Sequence, residues 1–169
     1  MKRAPLIIAA ALLVSLPGCG GEEASEAESA WLSWEEGMAM AAKTGRPVVV
    51  DFYTSWCRWC KVMERETFAD PRVDAYLAGN FVTIRVNAEK RSGALRYGER
   101  TYTPAGLAKA FEVRGYPSLA YLDEDGKLIF VDPGFKKPDR FMTVLRYVRS
   151  GCYRENVSLG EFARRGGCD

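Results

Sequence analysis

The chain has 169 residues, 47% hydrophobic and 27% charged, with five cysteines, no histidine and a formal net charge of +2. Without histidine, imidazole-ligated zinc or copper sites are excluded. A charge so close to balance gives no footing for nucleic-acid binding.

In chain order, Lys2 and Arg3 precede an apolar run from Leu6 to Leu16 that is too short to span a bilayer comfortably. Leu16-Pro17-Gly18-Cys19 follows, so residues 1–18 read as a secretory signal peptide. The Leu-x-Gly-Cys ending resembles a bacterial lipobox, although Pro17 stands where a small or hydroxyl residue is usual. That resemblance implies cleavage before Cys19, lipidation of its thiol, and an anchor in the cell envelope facing the periplasm or the exterior. An ordinary cleaved signal or a retained N-terminal anchor are the alternatives. Removing residues 1–18 takes away two basic residues and leaves 22 basic against 22 acidic. Residues 19–32 read as the lipidated cysteine and a flexible tether, because Gly20 to Ala30 is rich in Gly, Glu, Ser and Ala and holds no large apolar residue.

Residues 33–151 suit one domain with a sizeable core. Ser33-Trp34-Glu35-Glu36 predicts a capping box, with Trp34, Met38 and Ala41 or Ala42 recurring at helical spacing until Gly45 and Pro47. Val48 to Tyr53 predicts a strand covered on both faces. A helix from Cys57 to about Phe68, a short one from Asp70-Pro71 to Leu77 and a strand over Phe81–Val86 follow. Ala88 to Thr103, carrying Lys90, Arg91, Arg96 and Arg100, reads as a long solvated loop or a partner contact. Ala105 to Phe111 reads as helix, and Ser118–Leu122 and Lys127–Val131 as strands joined at Asp125-Gly126. Pro138 opens the last helix expected, with Phe141, Val144, Leu145 and Val148 on one face. Residues 152–169 read as a C-terminal extension. Parallel strands joined by helices, then a hairpin and a helix, give a three-layer α/β/α domain with a central mixed sheet.

Cys57 and Cys60, two residues apart in Trp56-Cys57-Arg58-Trp59-Cys60, stand directly after the strand. At a helix start, unpaired N–H groups and the positive dipole end stabilise a thiolate on the exposed first sulfur, and Arg58 adds charge of the same sign. The second cysteine, one turn on, can resolve a mixed disulfide. The pair reads as a thiol–disulfide redox site. Half of a zinc site or an inert disulfide are the other readings, but Cys19, Cys152 and Cys168 form no second short-spaced pair. With Cys19 lipidated, Cys152 and Cys168 are left for a structural bridge in an oxidising compartment, or as free thiols, or as a second relay.

Val50-Asp51-Phe52-Tyr53, Trp56-Cys57-Arg58-Trp59-Cys60-Lys61 and Val113-Arg114-Gly115-Tyr116-Pro117-Ser118 together resemble the thioredoxin family over residues 33 to 150. Asp70-Pro71-Arg72-Val73 looks like its periplasmic branch, including the C-terminal domain of the transmembrane disulfide reductase. The resemblance implies a thioredoxin fold, with Cys57 attacking and Cys60 resolving. It implies that Pro117 is a cis-proline exposing the backbone of Tyr116 to substrate, and that Trp56 shapes the substrate groove. Trp59 replaces the commoner small residue or proline and serves either substrate contact or core packing. Asp51 matches the family's buried acid. Burial would raise its pKa and let it take the proton of Cys60, unless it merely accepts a hydrogen bond at a strand end. Arg85 stands where lysine is common and is expected to hold Asp51 more acidic.

These expectations describe a lipid-anchored protein-disulfide reductase that needs no bound cofactor, because its electrons reside in the cysteine pair. Its partners would be disulfide-containing envelope proteins and a membrane thiol reductase as electron donor. The alternatives are an oxidase or isomerase, or a module that holds client thiols for metal or haem assembly without turnover.

Overall fold

Ser33 opens α1 (Trp34–Thr44) through a complete capping box with Glu36, and Gly45 ends it with a φ of 63°. A computed structural model describes residues 31–169. The expected signal peptide, Cys19 and expected tether residues 19–30 lie outside the described residues. Trp31–Leu32 is not tether but a short strand, β1. The Trp31 ring lies 4.5 Å from that of Phe68 and beneath the Arg85 guanidinium, so apolar burial and a cation–π contact draw it into the domain.

Next come β2 (Val48–Tyr53), α2 (Arg58–Met63), a π-helical turn (Glu64–Phe68), α3 (Pro71–Asn80) and β3 (Val82–Asn87). The hairpin β4 (Leu95–Tyr97) and β5 (Arg100–Tyr102) leads into α4 (Pro104–Ala110). β6 (Ser118–Leu122), β7 (Leu128–Pro133) and α5 (Pro138–Ser150) follow, then a 3₁₀ turn (Cys152–Glu155) and α6 (Leu159–Arg165). The main sheet runs β1-β3-β2-β6-β7. β1 and β2 are parallel to β3, whereas β6 is antiparallel to β2 and to β7. The expected mixed sheet between two helical layers is therefore what the chain builds.

Alternating side chains of β2 divide the core. Val49 faces Met63, Phe68, Val73, Leu77, Leu145 and Val148 on the α2, α3 and α5 side. Val48, Val50 and Phe52 face Trp34, Ala41, Leu107 and Phe111 on the α1 and α4 side. Both faces are covered, which is why the strand reads as unbroken hydrophobe around one acid. Gly37 is the closest approach of α1 to the sheet, for a Cβ there would lie 2.3 Å from Ile84. The β6–β7 hairpin is held by Asp123, whose Oδ1 accepts the N–H groups of Asp125 and Lys127.

Two expectations need correction. The 88–103 segment is not simply a solvated loop. Its hairpin buries Leu95, stacks Tyr97 edge-on to Phe111 at 4.9 Å, and accepts the Trp34 Nε1–H at the Arg96 carbonyl, 2.8 Å away. Arg96 and Arg100 point to solvent. Likewise α5 is not the last helix, and residues 152–169 are more than an appendage. A second capping box, Ser158 with Glu161, starts α6. Phe162 packs on Tyr147 at 5.5 Å, and the Tyr147 hydroxyl donates to the Val157 carbonyl at 2.8 Å.

Candidate active site

β2 delivers the chain to the site at Tyr53. The Cys57 N–H returns to the Thr54 carbonyl at 3.2 Å, and Cys57 then caps α2, its Sγ accepting the Cys60 N–H at 3.0 Å. Cys57 and Cys60 are joined as a disulfide, with Cα atoms 5.3 Å apart. The sulfur at the cap stands where the backbone N–H groups of the first helical turn converge. The expected exposure of the first sulfur is not seen, since Cys57 is only 4% exposed and Cys60 3%. The solvent side of the turn is taken instead by the flanking indoles, Trp56 at 69% and Trp59 at 58% exposure. Core packing is thereby ruled out for Trp59.

The Tyr116–Pro117 peptide bond is cis. Tyr116 is brought to the site by its ring, edge-on to that of Trp56 at 6.0 Å. Among the described residues no backbone hydrogen bond engages Tyr116, whereas the Pro117 carbonyl accepts the Gly134 N–H at 2.8 Å. Glu89 braces the approach to Cys57 from the turn after β3: its Oε2 accepts the Ser55 N–H at 2.6 Å. That backbone hydrogen bond, followed by side-chain bonds, holds its carboxyl below the usual glutamate range.

Asp51 is 1% exposed. Its Oδ2 accepts from Arg85 Nε at 3.1 Å, and its Oδ1 is buried with no partner among the described residues. Arg85 Nη1 reaches on to Glu64 Oε1 at 2.8 Å, and the guanidinium lies over the Tyr53 ring at 4.7 Å. Glu64 follows Cys60 by four residues, and its N–H donates to the Cys60 carbonyl, so the Asp51–Arg85–Glu64 ladder ties β2 and β3 to the end of the redox helix. Burial drives the Asp51 carboxyl up to about 6; Arg85 pulls it down by charge and hydrogen bond, and Glu64 pushes it up slightly. Both expected influences on Asp51 are therefore present, burial raising its carboxyl and Arg85 lowering it. The pull is present, but desolvation outweighs it, in part because Arg85 is shared with Glu64.

Cys152 and Cys168 are joined as a second disulfide, Cys152 being fully buried in the α5–α6 side of the core. Among the described residues no group of three or more His, Cys, Asp or Glu could hold a metal ion.

The model of the thioredoxin-like domain matches residues 34–149. The chain belongs to the thioredoxin-like domain family. This thioredoxin-like domain is 35% identical over 113 residues to the thiol:disulfide interchange protein DsbD of Ralstonia nicotianae, a match covering 66% of this chain and 17% of that protein. The chain thus spans about a sixth of the length of the curated relatives it matches. Among solved structures, the oxidised C-terminal domain of DsbD from Neisseria meningitidis is 28% identical with a TM-score of 0.53, covering 71% of this chain and 100% of that one. A thioredoxin-fold protein from Helicobacter pylori shares the fold at a TM-score of 0.63 and 19% identity, over 72% of this chain and 80% of that one. With the Cys57–Cys60 pair, these likenesses make this a domain of the thiol:disulfide oxidoreductase type.

The fold thus brings Cys57, Cys60, Trp56, Trp59, Tyr116, Pro117 and Asp51 to one end of the sheet, with Cys152 and Cys168 bonded elsewhere. Sequence reasoning missed Glu64, Glu89 and Phe135. The i+4 spacing of Glu64 from Cys60 was a usable signal. Glu89 and Phe135 sit on loops, where no periodicity marks a neighbour.

Proposed function

We propose that the chain is a lipid-anchored, envelope-facing reductase of protein disulfides. The observation that carries the disulfide-exchange reading is the Cys57–Cys60 disulfide at the head of α2, supported by the buried carboxyl of Asp51, which burial raises to about 6 and which Arg85 links to Glu64 at the end of that helix. A base whose pKa lies near the operating pH is well matched to taking a proton from a thiol. In the dithiol form, the Cys57 thiolate attacks one sulfur of a client disulfide. The client S–S bond breaks, a Cys57–client mixed disulfide forms, and one client thiolate leaves. Asp51 then takes the proton of Cys60, and the Cys60 thiolate attacks Cys57 Sγ. The Cys57–Cys60 bond closes and the second client thiolate leaves. Two electrons pass from the pair to the client, and both client thiolates take up protons from solvent or Asp51. Trp56, Trp59, Tyr116 and Pro117 form the client surface, with the free backbone of Tyr116 pairing like a strand.

Recharging the pair requires a dithiol donor, for which a membrane-embedded thiol reductase is proposed, because the envelope lacks a thiol buffer like that of the cytosol. Envelope location rests on Lys2, Arg3, the Leu6–Leu16 run and Cys19. Clients would be envelope proteins with accessible disulfides. The direction of electron flow is tested by the reduction potential of the pair. A value near about −270 mV with insulin reduction supports the reductase, whereas one near about −120 mV makes the domain an oxidant. A stable mixed disulfide with negligible turnover would mean a thiol-holding module.

A further inference from the structure

Phe135 lies on the loop between β7 and α5, and nothing in the thiol chemistry above uses it. Its ring stands 5.5 Å from that of Trp59, tilted by 36°. The loop is braced on three sides. Gly134 donates to the Pro117 carbonyl at 2.8 Å, tying it to the cis-proline segment. The buried Thr67 hydroxyl, in the turn that continues the redox helix, donates to the Lys136 carbonyl at 2.5 Å. Lys136 Nζ donates to the carbonyls of Pro133 and Gly134 and pairs with Asp132 at 3.1 Å. A segment so held offers its side chain in one place at little ordering cost.

The rings form two pairs, Trp56 with Tyr116 before Cys57 and Trp59 with Phe135 before Cys60. Large hydrophobic side chains left exposed among the described residues are Met40, Trp56, Trp59 and Leu128, so half of them border the disulfide. Exposed indoles this close to a reacting bond are unexplained by stability and mark a contact surface. We propose that Phe135 is a specificity-determining residue: with Trp59 it seats an aromatic or large aliphatic side chain next to the client's disulfide cysteine. The inference rests on the reading that Cys57 exchanges disulfides with a polypeptide, in whichever direction electrons flow.

The test uses the full chain and three disulfides: two cystine peptides identical except for Phe or Ala beside one cysteine, and 2-hydroxyethyl disulfide, which has no side chain to seat. Wild type should favour the Phe peptide in kcat/KM by about three- to tenfold, the range of one added aromatic contact. Phe135→Ala should remove most of that preference through KM, and Phe135→Tyr should restore it. Turnover of 2-hydroxyethyl disulfide and the reduction potential should be unchanged in both. Phe135→Leu, which keeps the packing under the ring, should lose part of the preference at an unchanged melting midpoint. No preference in wild type, a preference retained in Phe135→Ala, or an equal fall on all three disulfides would overturn the inference while leaving the redox reading intact. Failure of wild type on all three would overturn the redox reading and this inference with it.

Discussion

The two disulfides are alike as bonds, each with Cα atoms 5.3 Å apart, yet they sit in opposite settings. Cys57–Cys60 closes a separation of three residues at a helix start, flanked by two exposed indoles and following the strand that carries a buried, half-paired acid. Cys152–Cys168 closes sixteen residues against the α5 core, with Cys152 fully buried and the Ser150 hydroxyl 2.9 Å from its sulfur. The longer loop removes more entropy from the unfolded chain, about 3 kcal/mol in the chain-entropy model. The short one constrains little, so its opening and closing disturb the fold least. One region thus gives up stability for chemistry, and the other contributes stability without chemistry.

The largest test of that contrast is substitution of the cysteines. Cys57→Ser should abolish client reduction and trap no mixed disulfide, whereas Cys60→Ser should accumulate mixed disulfides through Cys57, read by mass spectrometry of acid-quenched protein. Equal trapping by both variants would refute the assignment of attacker and resolver. Asp51→Asn is next. It keeps the shape and removes the base, so resolution should slow by about 10²-fold or more while the first attack by Cys57 changes little. Stopped-flow reduction of a peptide disulfide separates the two steps, and an unchanged resolution rate would end the proton-relay role.

Most of the fold was legible because Val48-Val49-Val50, the Ser33 box and Asp125-Gly126 carry local signals strong enough to survive tertiary context. What was not legible depended on partners remote in sequence. β1 forms because Trp31 finds Phe68 and Arg85, and the β4–β5 hairpin because Tyr97 finds Phe111 and Trp34. α6 was hidden behind the idea of an extension, although Ser158-Leu159-Gly160-Glu161 is a readable capping box. At the site, the cysteines and the buried acid were readable from spacing and from a lone carboxylate among valines. The balance at Asp51 was not, because it turns on how far desolvation exceeds the pull of an arginine shared with Glu64.

The second disulfide supplies the third test. Replacing both Cys152 and Cys168 by serine should lower stability by about 3 kcal/mol in denaturant titration and leave the potential of the Cys57–Cys60 pair unchanged. A shift in that potential, or loss of client reduction in the folded variant, would mean the two regions are coupled and the contrast is wrong.

The smallest effect expected is also the one whose sign separates the two regions. The Asp51 carboxyl sits at about 6 in the fold against 3.8 for the free side chain, so the folded state holds its proton more tightly. An acid with a raised folded pKa favours the fold while protonated. Its relative contribution is full below about pH 4, falls as pH rises through 6, and is then a penalty. A shift of about two units corresponds to roughly 3 kcal/mol at pH 8, and the lost Arg85 ion pair is already contained in that difference. Asp51→Asn should therefore stabilise the oxidised protein at pH 8 by roughly 1–3 kcal/mol. The gain should shrink between pH 6 and pH 4, where Asp51 and its amide replacement are both neutral. Chemical denaturation at pH 4, 6 and 8 measures this directly. A variant less stable than wild type at pH 8 would show that the Arg85 pair outweighs burial, making Asp51 a structural ion-pair partner rather than a base for Cys60.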